Sequence, residues 1–343
     1  MVKKILALVG IVFLGFVLFY ASDLAYGFGQ LRGQLHIVWN ARPIEEFLAD
    51  ETFPDSLKAR IRLVQEIRRY AIDSLGINDS KNYTTLYDQH GKPVLWNLTG
   101  CRPFALEAKE WSFPFLGTFP YIGFFDREKV LAEEARLQDE GYETYIYSVG
   151  GWSTLGWFRD PILSSMLRRP EGDLAELIIH ELTHATLYVK DNIQYNENLA
   201  TFVGEEGAKR FLAWKYGEAS APYQHYLYGD DDYERYSRHI LRGANRLDSL
   251  YRTFSDAVPL DEKKAKKQAL IGEIIAQIDT ISFRYPALYQ RRFSADSLPN
   301  NTYFMSYKRY REEQNQFETE FYRDFDGDFQ RYLQALKKRY PSL

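Results

Sequence analysis

The sequence predicts an α+β fold, predominantly helical, and three observations carry that prediction. Apolar residues recur at three- and four-residue spacings over long stretches, as in Ile44, Phe47 and Leu48, then Leu57, Ile61, Val64, Ile67 and Ala71. Short runs rich in β-branched and aromatic residues, broken by Pro and Gly, lie between Val94 and Val149. The composition, 45% hydrophobic and 16% aromatic over 343 residues, can bury a substantial core, which excludes disorder and low-complexity scaffolding. The 43 basic and 47 acidic residues nearly balance, so the basic excess of a phosphate-neutralising nucleic-acid binder is absent. The single cysteine, Cys101, can form neither an intramolecular disulfide nor a Cys-rich metal site. Any metal site must use His and carboxylates.

At the N-terminus, Lys3 and Lys4 precede the uncharged run Ile5 to Ala21. As a helix its seventeen residues span roughly 25 Å, the short end of a membrane crossing. No clear cleavage site comes after it, so an uncleaved anchor over residues 1–22 is expected. The basic flank keeps its start in the cytoplasm and places the body from Asp23 onward outside it. Residues 23–93 read as an N-terminal helical segment, with helical periodicity from Pro43 to Leu75, closed by Gly76 and the polar stretch Asn78 to Asn82. Residues 94–216 read as the core. Within it Asp126 to Glu140 is helical and Tyr142 to Val149 alternates as a strand. The glycine- and aromatic-rich segment 150–158 is either an exposed binding loop, with Trp152, Ser153 and Thr154 at its centre, or a tight buried turn. Helices are expected at Asp173 to Val189 and Asn196 to Tyr216. Residues 217–343 form a C-terminal helical segment, with candidates at Glu234–Thr253, Lys263–Ile281 and Thr302–Arg323.

Residues 180–184 read His-Glu-Leu-Thr-His. Positions i and i+4 share a helix face, so His180 and His184 can grip one ion, while Glu181 is rotated by about 100° and can stand beside a metal-activated water without ligating. Asp173 as N-cap with Glu176 three residues on gives a capping-box-like start, and Leu174, Leu177, Ile178 and Leu182 supply an apolar stripe. Catalytic zinc sites keep three protein ligands and one open position. After the six residues Lys190 to Tyr195 a second helix begins, and such a short connection makes the helices antiparallel neighbours. Glu197 is thereby placed as third ligand, with Glu205 and Glu206 in reserve.

HELTH followed by NENLATF resembles the gluzincin pattern, in which HExxH gives two zinc ligands and the Glu of a following Asn-Glu helix the third. More closely, the sequence resembles the bacterial family known as "Putative aminopeptidase". The resemblance is carried by ARPIEEFLAD at 41–50, YSVGGWSTLGWFRDPILSSML at 147–167 and LAELIIHELTHATLYVKDNIQYNENLATFVGEEGAKRF at 174–211. It extends through PNNTYFMSYKRY at 299–310 and FDGDFQRYL at 325–333. It implies a zincin-like core, a Zn2+ cofactor held by His180, His184 and Glu197, a catalytic Glu181 and a peptide substrate. Combined with the anchor, it implies a single-pass protein of the bacterial inner membrane whose catalytic body faces the periplasm.

Three departures from the pattern matter. Only twelve residues separate His184 from Glu197. Thr201 stands where some gluzincins place an Asp that orients a ligand histidine, so another residue must hold that imidazole. Ser112 and Thr118 replace cysteines of family members, which removes a supporting disulfide.

The mechanism implied is attack of water on the scissile carbonyl, with Glu181 taking its proton and returning it to the leaving amine. Tyr310, after Asn300-Asn301, is the candidate oxyanion donor. An aminopeptidase also needs an acid for the substrate's ammonium. Glu143 is the only acid of the strand that could pair with substrate, and Glu205 and Glu206 are alternatives. An endopeptidase on the same site, or a silent peptide-binding protein on the same scaffold, are the competing readings. The acidic run Asp230 to Asp232 reads as a solvated turn, Asp324 to Asp328 as a turn and helix cap, and Cys101 as a packing residue. Oligomeric state is left open.

Overall fold

The computed structural model describes residues 20–113, 117–150, 159–190, 192–290, 293, 297–311 and 314–340, with backbone alone at 22, 309–311, 314 and 315. The chain opens with helix α1 (Ala21–Asn40), then strand β1 (Arg42–Pro43) and helices α2 (Ile44–Ala49) and α3 (Asp55–Leu75). The periodicity from Pro43 to Leu75 is thus split in two. Pro54 cannot continue a helix through its own N–H but suits the position just before one. Gly76 ends α3 at φ 77°, a left-handed cap against Gln330 that a side chain would strain.

Strands β2 (Thr85–Tyr87), β3 (Trp96–Cys101), β4 (Trp111–Phe113), β5 (Gly117–Phe119) and β6 (Ile122–Phe124) precede helix α4 (Arg127–Asp139), strand β7 (Glu143–Ser148) and strand β8 (Ile162–Leu163). The order β6-β3-β7 is antiparallel throughout, with Leu98 opposite both Ile122 and Ile146. Alternation puts Leu98 and Ile146 on the face that packs with Val130 and Leu137 of α4, and Thr99, Tyr145 and Tyr147 on the other. A second small sheet runs β1-β2-β8, and β4 pairs with β5.

Helices α5 (Glu171–His184) and α6 (Ile193–Tyr216) carry the HExxH segment and its partner. They are followed by α7 (Ala221–Tyr251), α8 (Leu260–Ala276), α9 (Asn301–Arg311), α10 (Gln314–Phe325) and α11 (Phe329–Arg339). The largest core runs from Ile37 of α1 through α3, α5 and α6 to Leu336 of α11. A second gathers α7, α8 and α9 around Tyr236, Ile240, Ile271 and Phe304.

Several expectations are corrected. Among the described residues no helix is long and apolar enough to cross a membrane. The expected crossing, Ile5 to Ala21, lies outside the described residues except for its last two positions. Helix α1, beyond it, is docked on the body: the Tyr26 hydroxyl and Gln30 Nε2 donate to Gly123 O at 3.0 and 2.7 Å, and Tyr26 stacks on Phe113. The single-pass inner-membrane placement with a periplasmic body is therefore not supported. Helix α5 begins at Glu171 behind Pro170, so Asp173 is a first-turn acid rather than the N-cap. Helix α7 begins at Ala221, capped by Ser220, well before Glu234. The acidic run lies inside it and is no turn. Asp230 pairs with Lys209, Asp231 with Arg235, and the buried Asp232 accepts from the backbone N–H groups of Arg284 and Tyr285. Asp328 caps α11, as read from the sequence.

Candidate metal centre

Helices α5 and α6 run antiparallel: contacts step from Val189–Asn196 through His184–Glu197 to Glu176–Gly204. Asn196 sets the register. Its Oδ1 accepts from Val189 N at 2.8 Å and its Nδ2 donates to Val189 O at 2.7 Å, pinning the connection and aiming the next residue, Glu197, at α5. Asn192 caps α6 by accepting from Tyr195 N. At Gly204 the helices approach so closely that a Cβ would lie 3.0 Å from Glu176 O and 3.2 Å from His180 Cβ. That glycine holds the histidine helix against the glutamate helix.

The result is a convergence of three donors. His180 Nε2 and His184 Nε2 are 3.2 Å apart, and Glu197 Oε2 lies 3.5 Å from the first and 3.8 Å from the second. Among the described residues they are the one group of three or more His, Cys, Asp or Glu side chains placed to hold an ion. Burial pulls the His184 imidazole down to about 4, leaving it neutral, as a ligand must be. Burial pulls His180 the same way, but its hydrogen bond to Glu197 and the charges of Glu181, Glu197 and Glu176 outweigh that and raise it. His184 Nδ1 is buried without a hydrogen-bond partner among the described residues. The expected substitute for an orienting Asp at position 201 is therefore not found there.

Burial pushes the Glu181 carboxyl up to about 7, with Glu197 and Asp160 adding to the rise and His180 and Arg169 opposing it. A carboxyl that changes charge near neutrality is the consequence. Three neighbours of this carboxyl escaped the sequence reading. Tyr83 is fully buried, has φ 61°, and its hydroxyl is raised by burial and by the charges of Glu181 and Asp160. Asp160 is buried and paired with Asn82 through both its carboxylate and its N–H, while its carbonyl accepts from Tyr83 N at 2.7 Å. Arg169 lies against the end of β7: a Cβ on Gly150 would sit 2.5 Å from its Nη2. The one local signal for Asp160 and Arg169 was that each precedes a proline near the zinc-type motif.

The other expected site residues fare differently. Trp152, Ser153 and Thr154 lie outside the described residues, and so does the side chain of Tyr310, in α9. Glu205 stands outside the donor triad, near Lys209 and Tyr226. Glu206 accepts from Arg210 and from the Tyr322 hydroxyl. Glu143 is taken by Lys267 and by Asn301 N, so it is no anchor for a substrate ammonium. Cys101 is buried in β3 with its thiol pushed up to about 12, chiefly by burial, which fits a packing role. Ser112 and Thr118 face each other across β4 and β5 with their hydroxyls 2.8 Å apart.

No match was found among curated proteins or among solved structures. The family described as "Putative aminopeptidase" matches residues 25–340, almost the whole chain and all of the centre just described. The chain belongs to that family, and the membership supports a peptide-bond hydrolase.

Proposed function

We propose that this chain is a zinc-dependent aminopeptidase of gluzincin type, built on a zincin-like core. The observation that carries the reading is the convergence of His180, His184 and Glu197 with the buried Glu181 beside them. Tetrahedral zinc with bonds of about 2.0–2.1 Å needs donor atoms roughly 3.3–3.4 Å apart. The three separations, 3.2, 3.5 and 3.8 Å, bracket that value and support the donor set. The neutral imidazole of His184 and the carboxylate of Glu197 also fit the charge preference of such an ion.

When bound, zinc supplies Lewis acidity to the scissile carbonyl and acidifies a water. Glu181 takes one proton from the attacking water as its oxygen bonds to the carbonyl carbon. It then delivers that proton to the departing amine nitrogen as the C–N bond breaks. Glu176 favours an aminopeptidase over an endopeptidase. It sits one turn before His180 on the same face of α5, about 6 Å along the axis, its charge acts on His180, and we assign it to the substrate ammonium. Its Oε2 accepts from the Tyr226 hydroxyl at 2.8 Å, which orients it.

The test is mass spectrometry of a peptide and its N-acetylated copy incubated with the zinc-loaded full chain, with Glu181→Gln as control. The expected outcome is stepwise shortening of the free peptide alone, with Glu181→Gln keeping its zinc and losing about 10²–10⁴-fold in turnover. Internal cutting of both peptides would replace the aminopeptidase reading with an endopeptidase. Undiminished turnover by Glu181→Gln would remove the mechanism.

A further inference from the structure

A cavity of about 580 Å³ lies between the β3–β7 sheet face and α9, away from the donor triad. Its volume falls in the range of ligand sites. Tyr145, Tyr147, Phe293, Tyr303, Met305 and Tyr307 dominate its wall, and among the described residues no charged side chain or histidine lines it. Behind Asn300 of this wall, Glu143 accepts from Asn301 N and from Lys267, which also donates to Pro103 O. Among the described residues a charged ligand group would find no counter-ion here on losing its water, whereas an apolar or aromatic one gains burial. The mouth is open, because Tyr145 is 57% exposed while its ring stacks on that of Tyr147.

The cavity is connected to the metal centre by one strand. Tyr145 and Tyr147 belong to β7, which lies at the margin of the sheet order β6-β3-β7. The ladder extends one residue further through Val149 N to Leu95 O, and Gly150 then meets the Arg169 guanidinium, whose charge acts on Glu181. From Gly150 back to Tyr147 and Tyr145 is about 10–17 Å at the rise of an extended chain. A peptide whose N-terminus is held at the centre can extend only downstream, and from the level of Gly150 an extended peptide reaches the cavity in about three to five residues.

We propose that the cleaved bond lies level with Gly150 and that this cavity receives an apolar or aromatic side chain of the peptide substrate, about three to five residues beyond that bond. The inference rests on the aminopeptidase reading and deepens it. The enzyme is then selective for unfolded oligopeptides carrying such a residue near their fourth to sixth position, rather than for dipeptides. Selectivity resides in a pocket remote from the chemistry.

The test uses the zinc-loaded full chain and hexapeptides of alanine with Phe or Gly placed in turn at positions four, five and six, reading the initial release of the first alanine. Alanine amide, too short to reach the cavity, reports on the metal centre alone. The expected result is a kcat/KM at least about tenfold higher for Phe than for Gly at one of the positions, the effect of burying one aromatic side chain. That ratio should fall to near one in Tyr145→Ser, an exposed site, and in Ser306→Trp, which fills the cavity. Binding of labelled hexapeptides to the Glu181→Gln protein, followed by fluorescence anisotropy, should show the same ratio without turnover. Turnover of alanine amide with no Phe preference above twofold at any position would overturn the cavity assignment and leave the peptidase standing. Release of alanine from none of the substrates overturns both.

Discussion

Tyr83 holds a backbone conformation that an aromatic residue rarely adopts, φ 61°, in a fully buried position within the electrostatic reach of Glu181. Left-handed backbone of this kind costs about 1–3 kcal/mol and persists where the surroundings over-determine it. Here they do so through the hydrogen bond from Tyr83 N to Asp160 O and through burial of the ring. Tyr83→Ala removes the ring and keeps the strain, at a cost of about 3–5 kcal/mol. Tyr83→Gly removes both. The glycine variant should therefore be the more stable of the two by roughly 1 kcal/mol, against the usual order of these residues. Urea midpoints decide it, and a glycine variant no more stable than the alanine one would show that the position stores no strain. Sequence reading missed this residue for a physical reason. His180, Glu181 and His184 are related by the arithmetic of one helix, and Glu197 by one short connection. Tyr83 reaches the same place through tertiary folding, which leaves no local pattern among 26 tyrosines.

The helix pair α5–α6 is held at its closest approach by Gly204, and the balance of two effects there can be measured. Gly204→Ala gains up to about 1 kcal/mol of helix propensity. It also sets a Cβ 3.0 Å from a backbone carbonyl, Glu176 O, and 3.2 Å from His180 Cβ, neither of which can rotate away. Overpacking of this kind costs about 1–3 kcal/mol, so net destabilisation of about 1 kcal/mol is expected, with weakened zinc retention because His180 moves. Gly229→Ala in α7, where a Cβ meets nothing within 4 Å, should instead stabilise by roughly 0.5–1 kcal/mol. Equal effects at the two sites in thermal melts would remove the close-approach argument. In β4 and β5, Ser112 and Thr118 already face each other, so Ser112→Cys with Thr118→Cys should oxidise and stabilise by about 2 kcal/mol through closure of a short loop. A doubly substituted protein that stays reduced in air would show that the strand geometry does not suit a disulfide. Helix bodies were legible at this scale because their apolar period is local. The starts of α5 and α7 were not: α5 opens behind Pro170 on the polar turn Glu171-Gly172-Asp173, and the first half of α7 holds Pro222, Gly229 and the acidic run Asp230 to Asp232, which read as a turn.

Across the whole molecule, the C-terminal helices pack against the helix that carries Glu197 of the donor triad. Phe202 of α6, five residues after Glu197, meets Phe317 and Phe321 of α10 and Phe329 and Tyr332 at α11 in one ring cluster. The sequence showed these helices but not their destination, because contacts across more than a hundred residues leave no period to read. Phe321 is fully buried, so Phe321→Ala should cost about 3–5 kcal/mol, a large share of the 5–15 kcal/mol that keeps a domain folded. Zinc that binds only the native state adds back about 2.7 kcal/mol at a hundredfold excess over its dissociation constant. Urea denaturation of Phe321→Ala with and without zinc should therefore show most of the loss recovered. In Phe321→Ala carrying Glu197→Ala as well, zinc should move the midpoint far less, since one of three donors is gone. The same linkage runs in reverse for the unmodified chain, whose midpoint a chelator should lower by a comparable amount. A wild-type midpoint that neither chelator nor added zinc shifts would mean that the three convergent side chains hold no ion, and the zinc assignment would fall with it.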